Sequence, residues 1–239
     1  MTEPCGNTRN LAFMVAIVYA CKVIWRLTES LMANRNSTWL SLLWIGALFY
    51  GVSGCEKAVE LSPLPADAVV LAFGDSLTYG TGTNAKTSYP RVLEELIGRE
   101  VINAGIPGET TKKGVQRLPM ELEEYQPALV ILMEGGNDFL RRYPPKETRE
   151  NLRRMIRQIR ASGAEVLLVG VPAPGLMLSS AELYEELAQE LDVPYLDGVM
   201  ADILSERELK SDPIHPNGEG YRLFAEAVTA FLRERGAIR

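Results

Sequence analysis

Short runs of apolar residues recur after residue 67 and alternate with amphipathic segments of helical periodicity. Continuous apolar runs are typical of strands that helices cover on both faces, which is the environment of a parallel sheet. The predicted strands cover 68–73, 100–103, 128–133, 165–171 and 193–196. The predicted helices cover 89–97, 110–125, 146–161, 178–191 and 218–235. This alternation predicts an α/β fold, a single doubly wound parallel five-stranded sheet with helices on both faces.

Composition excludes several classes of function. The net charge of −6 argues against a nucleic-acid partner, which usually requires a basic surface. All three cysteines lie at or before residue 55, so the predicted domain at 67–239 has neither a disulfide nor a thiolate metal site. The chain has a single histidine, which makes a His/Cys zinc centre implausible. We therefore expect no metal and no other cofactor. We also expect a monomer.

The N-terminal region reads as an export signal and not as part of the domain. Apolar stretches cover 11–24 and 39–52, and the second follows a short basic region that begins near Met32, an alternative start of the protein. The sequence from Val52 to Cys55 resembles the lipobox of bacterial lipoproteins, which implies lipid attachment to Cys55.

We expect a leader at 1–54, a tether at 55–66 and an exported domain that is anchored to a membrane on its periplasmic side. By the same resemblance, Glu56 favours the outer membrane. A membrane-spanning N-terminal anchor is the alternative, although the apolar run is shorter than the ~20 residues that a span needs.

Candidate catalytic residues follow the predicted strands. Gly74-Asp75-Ser76 comes after the first, Gly105 to Gly108 after the second and Gly135 to Asp138 after the third. Ligands of such sheets bind beyond the carboxyl ends of the strands, so these segments are expected at one edge. A serine becomes a good nucleophile when an imidazole takes its proton, and a carboxylate orients that imidazole. His215 is the only candidate imidazole, and Asp212 is three residues before it.

These motifs are similar to the four sequence blocks of the GDSL, or SGNH, hydrolase family. The blocks correspond here to Gly74-Asp75-Ser76-Leu77, Asn103-Ala104-Gly105, Gly135-Gly136-Asn137-Asp138 and Asp212-Pro213-Ile214-His215-Pro216. Within the family, the motif sequences are most similar to those of the bacterial thioesterase I, lysophospholipase and arylesterase group. The resemblance implies the flavodoxin-like sheet of SGNH hydrolases.

The resemblance also implies the roles of the site residues. Ser76 would be the nucleophile, His215 the general base and Asp212 the group that orients the imidazole. Oxyanion donors would be the backbone N–H groups of Ser76 and Gly105 and the side-chain amide of Asn137. Asp75 is expected to shape the turn and to take no part in the Ser-Asp-His triad.

Three functions remain open from the sequence. The first is a serine esterase that hydrolyses acyl esters or thioesters, including lysophospholipids, through an acyl-enzyme. The second is a carbohydrate O-acetyl esterase. The third is a membrane-anchored binding protein that has kept the fold and lost catalysis. The segment at 172–178 is read either as an apolar lip of an acyl pocket or as a stiff connection.

Overall fold

A computed structural model describes residues 59–173 and 180–239, and its centre is a five-stranded parallel sheet. The strands run in the order β2-β1-β3-β4-β5, which is the flavodoxin-like order that the family resemblance implied. Strands β1 and β3 are fully buried, as their uninterrupted apolar sequences require. The bounds are β1 Val70–Gly74, β2 Val101–Gly105, β3 Leu129–Met133, β4 Glu165–Val169 and β5 Tyr195–Leu196.

All five predicted helices are confirmed, with ends that differ by a few residues. Three short helices that the sequence did not predict are also present. They were missed because segments of four to seven residues are too short to show a helical period. The bounds are α1 Ser76–Tyr79, α2 Tyr89–Ile97, α3 Thr111–Tyr125, α4 Gly136–Leu140, α5 Pro145–Ala161, α6 Glu182–Leu191, α7 Val199–Ser205 and α8 Gly218–Glu234.

The helices pack in pairs on the sheet. Tyr89 at the start of α2 meets Phe224 of α8 edge to face, with ring centroids 4.9 Å apart. In the α3–α5 pair, Gly114 lies close to Met155 and to the Phe73 ring of β1. This pairing fixes the sheet between two helical layers and leaves the carboxyl edge of the strands to the connecting loops.

The described part of the predicted tether lies against the domain. The backbone N–H of Leu61 donates to the carbonyl of Arg235 at 2.9 Å, and the N–H of Leu64 donates to that of Ala237 at 2.8 Å. Both leucine side chains are buried. The predicted leader at 1–54 and Cys55 lie outside the described residues. Within 59–173 and 180–239, no helix is both long enough and apolar enough to cross a membrane.

Candidate active site

Ser76 stands where β1 ends and α1 begins. Asp75 is the N-cap of α1, and its Oδ1 accepts a hydrogen bond from the backbone N–H of Leu77 at 3.0 Å. Gly74 admits no side chain here, because a Cβ would lie 2.2 Å from the carbonyl oxygen of Met133. Because β1 ends at Gly74, Ser76 lies at the carboxyl edge of the sheet.

Ser76, His215 and Asp212 form a continuous hydrogen-bonded row. The Oγ of Ser76 lies 3.0 Å from Nε2 of His215, and Nδ1 of His215 lies 2.7 Å from Oδ2 of Asp212. Oδ1 of Asp212 accepts hydrogen bonds from the backbone N–H groups of Ile214, at 2.9 Å, and His215, at 3.0 Å. The partial burial of Asp212 acts to raise its pKa, but the hydrogen bonds from Ile214 and His215 outweigh it and lower the pKa.

The loop that carries His215 is fixed at both of its ends. The backbone N–H of Ser211 donates to the carbonyl of His215 at 2.9 Å, which closes the turn around Asp212. On the other side, Oδ1 of Asn217 accepts from the N–H groups of Glu219 and Gly220 at 3.0 Å and so caps α8. The sequence predicted the start of α8 here, and the cap anchors the chain two residues after His215 at the start of that helix.

Asn137 lies in α4 beside the serine. Its Nδ2 donates to Oδ2 of Asp75 at 3.0 Å, and the residue also lines the cavity described below. Burial raises the pKa of Asp75 to about 6, although the hydrogen bonds from Leu77 and Asn137 act to lower it. Asp75 thus shapes the turn, as predicted, and it also orients the amide of Asn137.

Gly105, predicted as an oxyanion donor, is in the wrong place for that role. Strand β2 continues through it, and its N–H donates to Oδ1 of Asn103 at 3.0 Å. A Cβ at Gly105 would lie 2.1 Å from the backbone nitrogen of Tyr79, so the residue faces α1. Its small size serves the packing of α1 on β2 and does not serve the approach of a substrate.

Gly108 is the glycine of this segment that reaches the site. It lines the cavity and has a φ of +77°, a conformation that favours glycine. The N–H groups of Gly108 and Ser76 find no acceptor among residues 59–173 and 180–239. The turn signal Pro107-Gly108 in the sequence could have indicated this position. Nη2 of Arg141 holds the turn by donating to the Gly108 carbonyl at 3.0 Å.

A cavity of about 510 Å³ opens beside the serine. Ser76, Gly108, Asn137 and His215 form its polar end. Apolar side chains cover much of the remainder, among them Leu77, Pro107, Leu140, Val171, Leu204 and Ile214. A few polar groups at one end of an apolar cavity are the usual arrangement of a small-molecule site.

The segment at 172–178 touches this site at its first residue. Pro172 lines the cavity, which favours the reading as a pocket lip, while 174–178 lies outside the described residues. The described ranges contain no cluster of three or more histidine, cysteine, aspartate or glutamate side chains that could hold a metal ion.

Comparison with known proteins gives a consistent result. The profile of the GDSL-like Lipase/Acylhydrolase family matches residues 72–223, a range that includes Ser76, Asn137, Asp212 and His215. The chain is 34% identical over 172 residues to Thioesterase 1/protease 1/lysophospholipase L1 of Escherichia coli K12, a match that covers 69% of this chain and 83% of that protein. It is 32% identical over 196 residues to an arylesterase of Vibrio mimicus, with 77% and 94% covered.

Solved structures agree in fold. The structure of TesA superposes with a TM-score of 0.63 at 28% identity, over 70% of this chain and 99% of that one. The SGNH-hydrolase family esterase AlinE4 gives a TM-score of 0.56 at 31% identity, over 70% and 96% of the two chains.

Proposed function

The chain belongs to the GDSL-like lipase/acylhydrolase family and is a hydrolase of ester or thioester bonds, and we propose that it acts through a Ser76-His215-Asp212 triad. The observation that supports this most directly is the row of hydrogen bonds from Ser76 Oγ through the imidazole to Asp212, at 3.0 and 2.7 Å. These separations are those of a nucleophile, its base and the group that orients the base.

The first half of the proposed reaction forms an acyl-enzyme. His215 Nε2 takes the proton of the Ser76 hydroxyl while Oγ bonds to the carbonyl carbon of the substrate. When the tetrahedral intermediate collapses, the bond from carbon to the leaving oxygen or sulfur breaks, and Nε2 gives its proton to the leaving group. Asp212 keeps a proton on Nδ1, so that Nε2 is free to accept, and stabilises the imidazolium that forms.

In the second half, water replaces the leaving group. His215 takes one proton from the water, whose oxygen bonds to the acyl carbon, and returns that proton to Ser76 Oγ as the acyl–serine bond breaks. A carboxylic acid leaves, and the enzyme regains its first state without any cofactor.

We infer that the negative oxygen of both intermediates is bound by the N–H groups of Ser76 and Gly108 and by the amide of Asn137. The N–H groups, which have no acceptor among residues 59–173 and 180–239, and the position of Asn137 on the cavity support this assignment. Each such donor contributes about 2.7–4 kcal/mol to transition-state stabilisation at comparable sites. The side-chain amide keeps its donor at every working pH, because it does not titrate.

The cavity favours acyl chains longer than acetyl. Leu140 and Ile214 line it and are 48% and 43% exposed, so apolar surface continues from the cavity to its mouth. Burial of each additional CH₂ of a substrate contributes about 0.8 kcal/mol. We expect kcat/KM for p-nitrophenyl esters to rise from acetate to a medium chain length, in an assay of the full-length protein over the series from acetate to palmitate.

The same series separates the competing functions. A rate that is highest on acetate and negligible on octanoate would contradict the acyl-ester proposal and favour a carbohydrate O-acetyl esterase. No hydrolysis of any ester or thioester would favour a binding protein.

We propose that the protein is an exported lipoprotein, anchored through Cys55. The lipobox-like sequence before Cys55 and the apolar run that precedes it support this proposal. In a bacterial host, Cys55→Ser is expected to abolish labelling of the protein by radioactive palmitate and to move it out of the outer-membrane fraction. Equal labelling of both proteins would contradict the proposal, while an unlabelled wild type that stays in the membrane would favour a spanning anchor.

A further inference from the structure

Glu134 is a fully buried acid behind the active site, and the proposed reaction does not use it. It directly follows β3, and its side chain is 0% exposed. Oε2 accepts a hydrogen bond from the N–H of Gly135 at 3.2 Å, whereas Oε1 has no partner among residues 59–173 and 180–239. The nearby hydroxyl of Tyr184 donates to the Glu134 backbone carbonyl at 2.7 Å and not to the side chain. A buried carboxylate with one bare oxygen would be strongly destabilising.

A second buried acid lies beside Glu134. The charge of Glu109 and a side-chain hydrogen bond between the two carboxyl groups both act to raise the pKa of Glu134. Two ionised carboxylates can only accept, so a hydrogen bond between these buried groups requires that the pair shares a proton. The question is which of the two acids carries it.

Arg117 decides the position of the proton. Its Nε lies 3.1 Å from Oε1 of Glu109, and its Nη2 lies 2.5 Å from Oε2, so both oxygens of Glu109 face a permanent cation. Glu134 has no such ion pair among residues 59–173 and 180–239. The proton therefore belongs on Glu134, whose O–H can donate to Glu109.

The other charges around Glu134 act in the same direction. Burial raises the pKa of Glu134 well above its ordinary value, and the negative charges of Asp75, Glu109 and Asp138 raise it further. Asp138 is itself held by the N–H and hydroxyl of Thr111, at 2.9 and 2.6 Å. Arg117, in contrast, forms its ion pair with Glu109.

We propose that Glu134 carries a proton at neutral pH and donates it in a hydrogen bond to Glu109, which ties together the two loops that supply the oxyanion hole. Glu109 directly follows Gly108 in the loop after β2, and Glu134 directly precedes Gly135-Gly136-Asn137 in the loop after β3. Glu134 is thus a positioning residue that acts through Gly108 and Asn137. This catalytic part rests on the proposed function.

The proton on Glu134 can be observed without any turnover. At about pH 7.5, above the pKa of about 6 of Asp75, the infrared spectrum should contain the C=O stretch of a protonated carboxyl group. Glu134→Gln should remove this band. Glu121→Gln is the matched control, because Glu121 is the outer carboxylate on Arg117, 2.7 Å from Nη1, and this variant should keep the band. A wild-type spectrum without the band, or a band that persists in Glu134→Gln, would overturn the proposal even for an inactive protein.

The positioning role has its own kinetic signature. Glu134→Gln keeps a donor towards Glu109, so its kcat at neutral pH should stay within about threefold of wild type. Glu134→Met removes the donor and should lower kcat about tenfold, with KM little changed. Wild-type kcat should fall at alkaline pH as Glu134 ionises beside Glu109, and Glu134→Gln should lack this fall. An equal loss in the Gln and Met variants, or an alkaline fall that Glu134→Gln retains, would overturn the role in catalysis. If the wild type shows the band and Glu134→Gln loses it, the proton on Glu134 stands even when the kinetic results exclude a role in catalysis.

Discussion

Replacement of Ser76 by alanine is expected to lower kcat/KM on a p-nitrophenyl ester by at least about 10⁴-fold. The substitution removes the atom that would form the acyl-enzyme, and it leaves the cavity and the other oxyanion donors intact. A small residual rate over water should remain, because Asn137 and the N–H of Gly108 would still stabilise charge on the carbonyl oxygen. Initial rates of the purified wild type and variant, corrected for spontaneous hydrolysis, would measure the effect.

The matched control is Ser205→Ala, which removes a hydroxyl that donates to the carbonyl of Asp202 at the end of α7. Its kcat/KM should stay within about twofold of wild type, since surface substitutions rarely exceed about 0.5 kcal/mol. A fluorophosphonate should label wild type and Ser205→Ala, and it should not label Ser76→Ala. Full activity of Ser76→Ala would exclude this serine as the nucleophile, whereas a wild type that neither reacts nor turns over would favour the binding function.

The sequence predicted the sheet correctly because apolar runs and amphipathic periods are local signals. Strand β3 reads as an unbroken apolar run, and the structure buries each of its residues. The same local signals predicted α2 over the residues that form it. Helix α6 begins at Glu182, later than the predicted 178, because residues 180–181 precede it in extended conformation.

Errors in the predicted site arose where the role of a residue depends on its neighbours in space. The segment Gly105-Ile106-Pro107-Gly108 offers two glycines, and nothing local shows that β2 extends through the first of them. The N–H of Gly105 donates to Asn103, whereas Gly108 in the following turn lines the cavity.

Glu134 shows the same limit for a charged residue. It follows an apolar run in a position where an exposed loop residue is the ordinary expectation, because glutamate is almost never fully buried unless it is paired. Its neighbours in the fold include Glu109, which is 25 positions away in the sequence, and Tyr184 of α6, which donates to its backbone carbonyl. Only the assembled fold brings these three residues together.

Asp212→Asn is expected to lower kcat about 10⁴-fold with little change in KM. An asparagine in this position can present either an amide N–H or a carbonyl to Nδ1 of His215. When the amide N–H donates to Nδ1, the imidazole carries its proton on Nε2 and cannot accept the proton of Ser76. The pKa of Asp212 is lowered in the folded protein. The carboxylate is therefore charged throughout an assay at neutral or alkaline pH, and the loss in Asp212→Asn should not vary with pH in that range.

The same lowered pKa gives Asp212 an effect on folding with a defined sign. A folded pKa below the ordinary value of 3.8 means that the charged form stabilises the fold above that pH, and the contribution is lost as pH falls through the lowered value. Asp212 is 43% exposed, so this effect is small, and the loss of activity should occur in a folded protein. Equal thermal unfolding of wild type and Asp212→Asn at neutral pH would establish that point.

Asp202→Asn, the same change at an exposed position of α7, serves as the control and should keep wild-type kcat. An Asp212→Asn variant with more than about a tenth of wild-type kcat would contradict the assignment, because loss of the orienting acid of a triad lowers kcat by far more than tenfold. Asp75 would then be the remaining candidate, since it is buried next to Ser76 and its charge acts on His215. Its oxygens, however, already accept from Leu77 and Asn137, whereas Asp212 directs Oδ2 at the imidazole from 2.7 Å. This difference in hydrogen bonding is the reason to expect the large loss at Asp212.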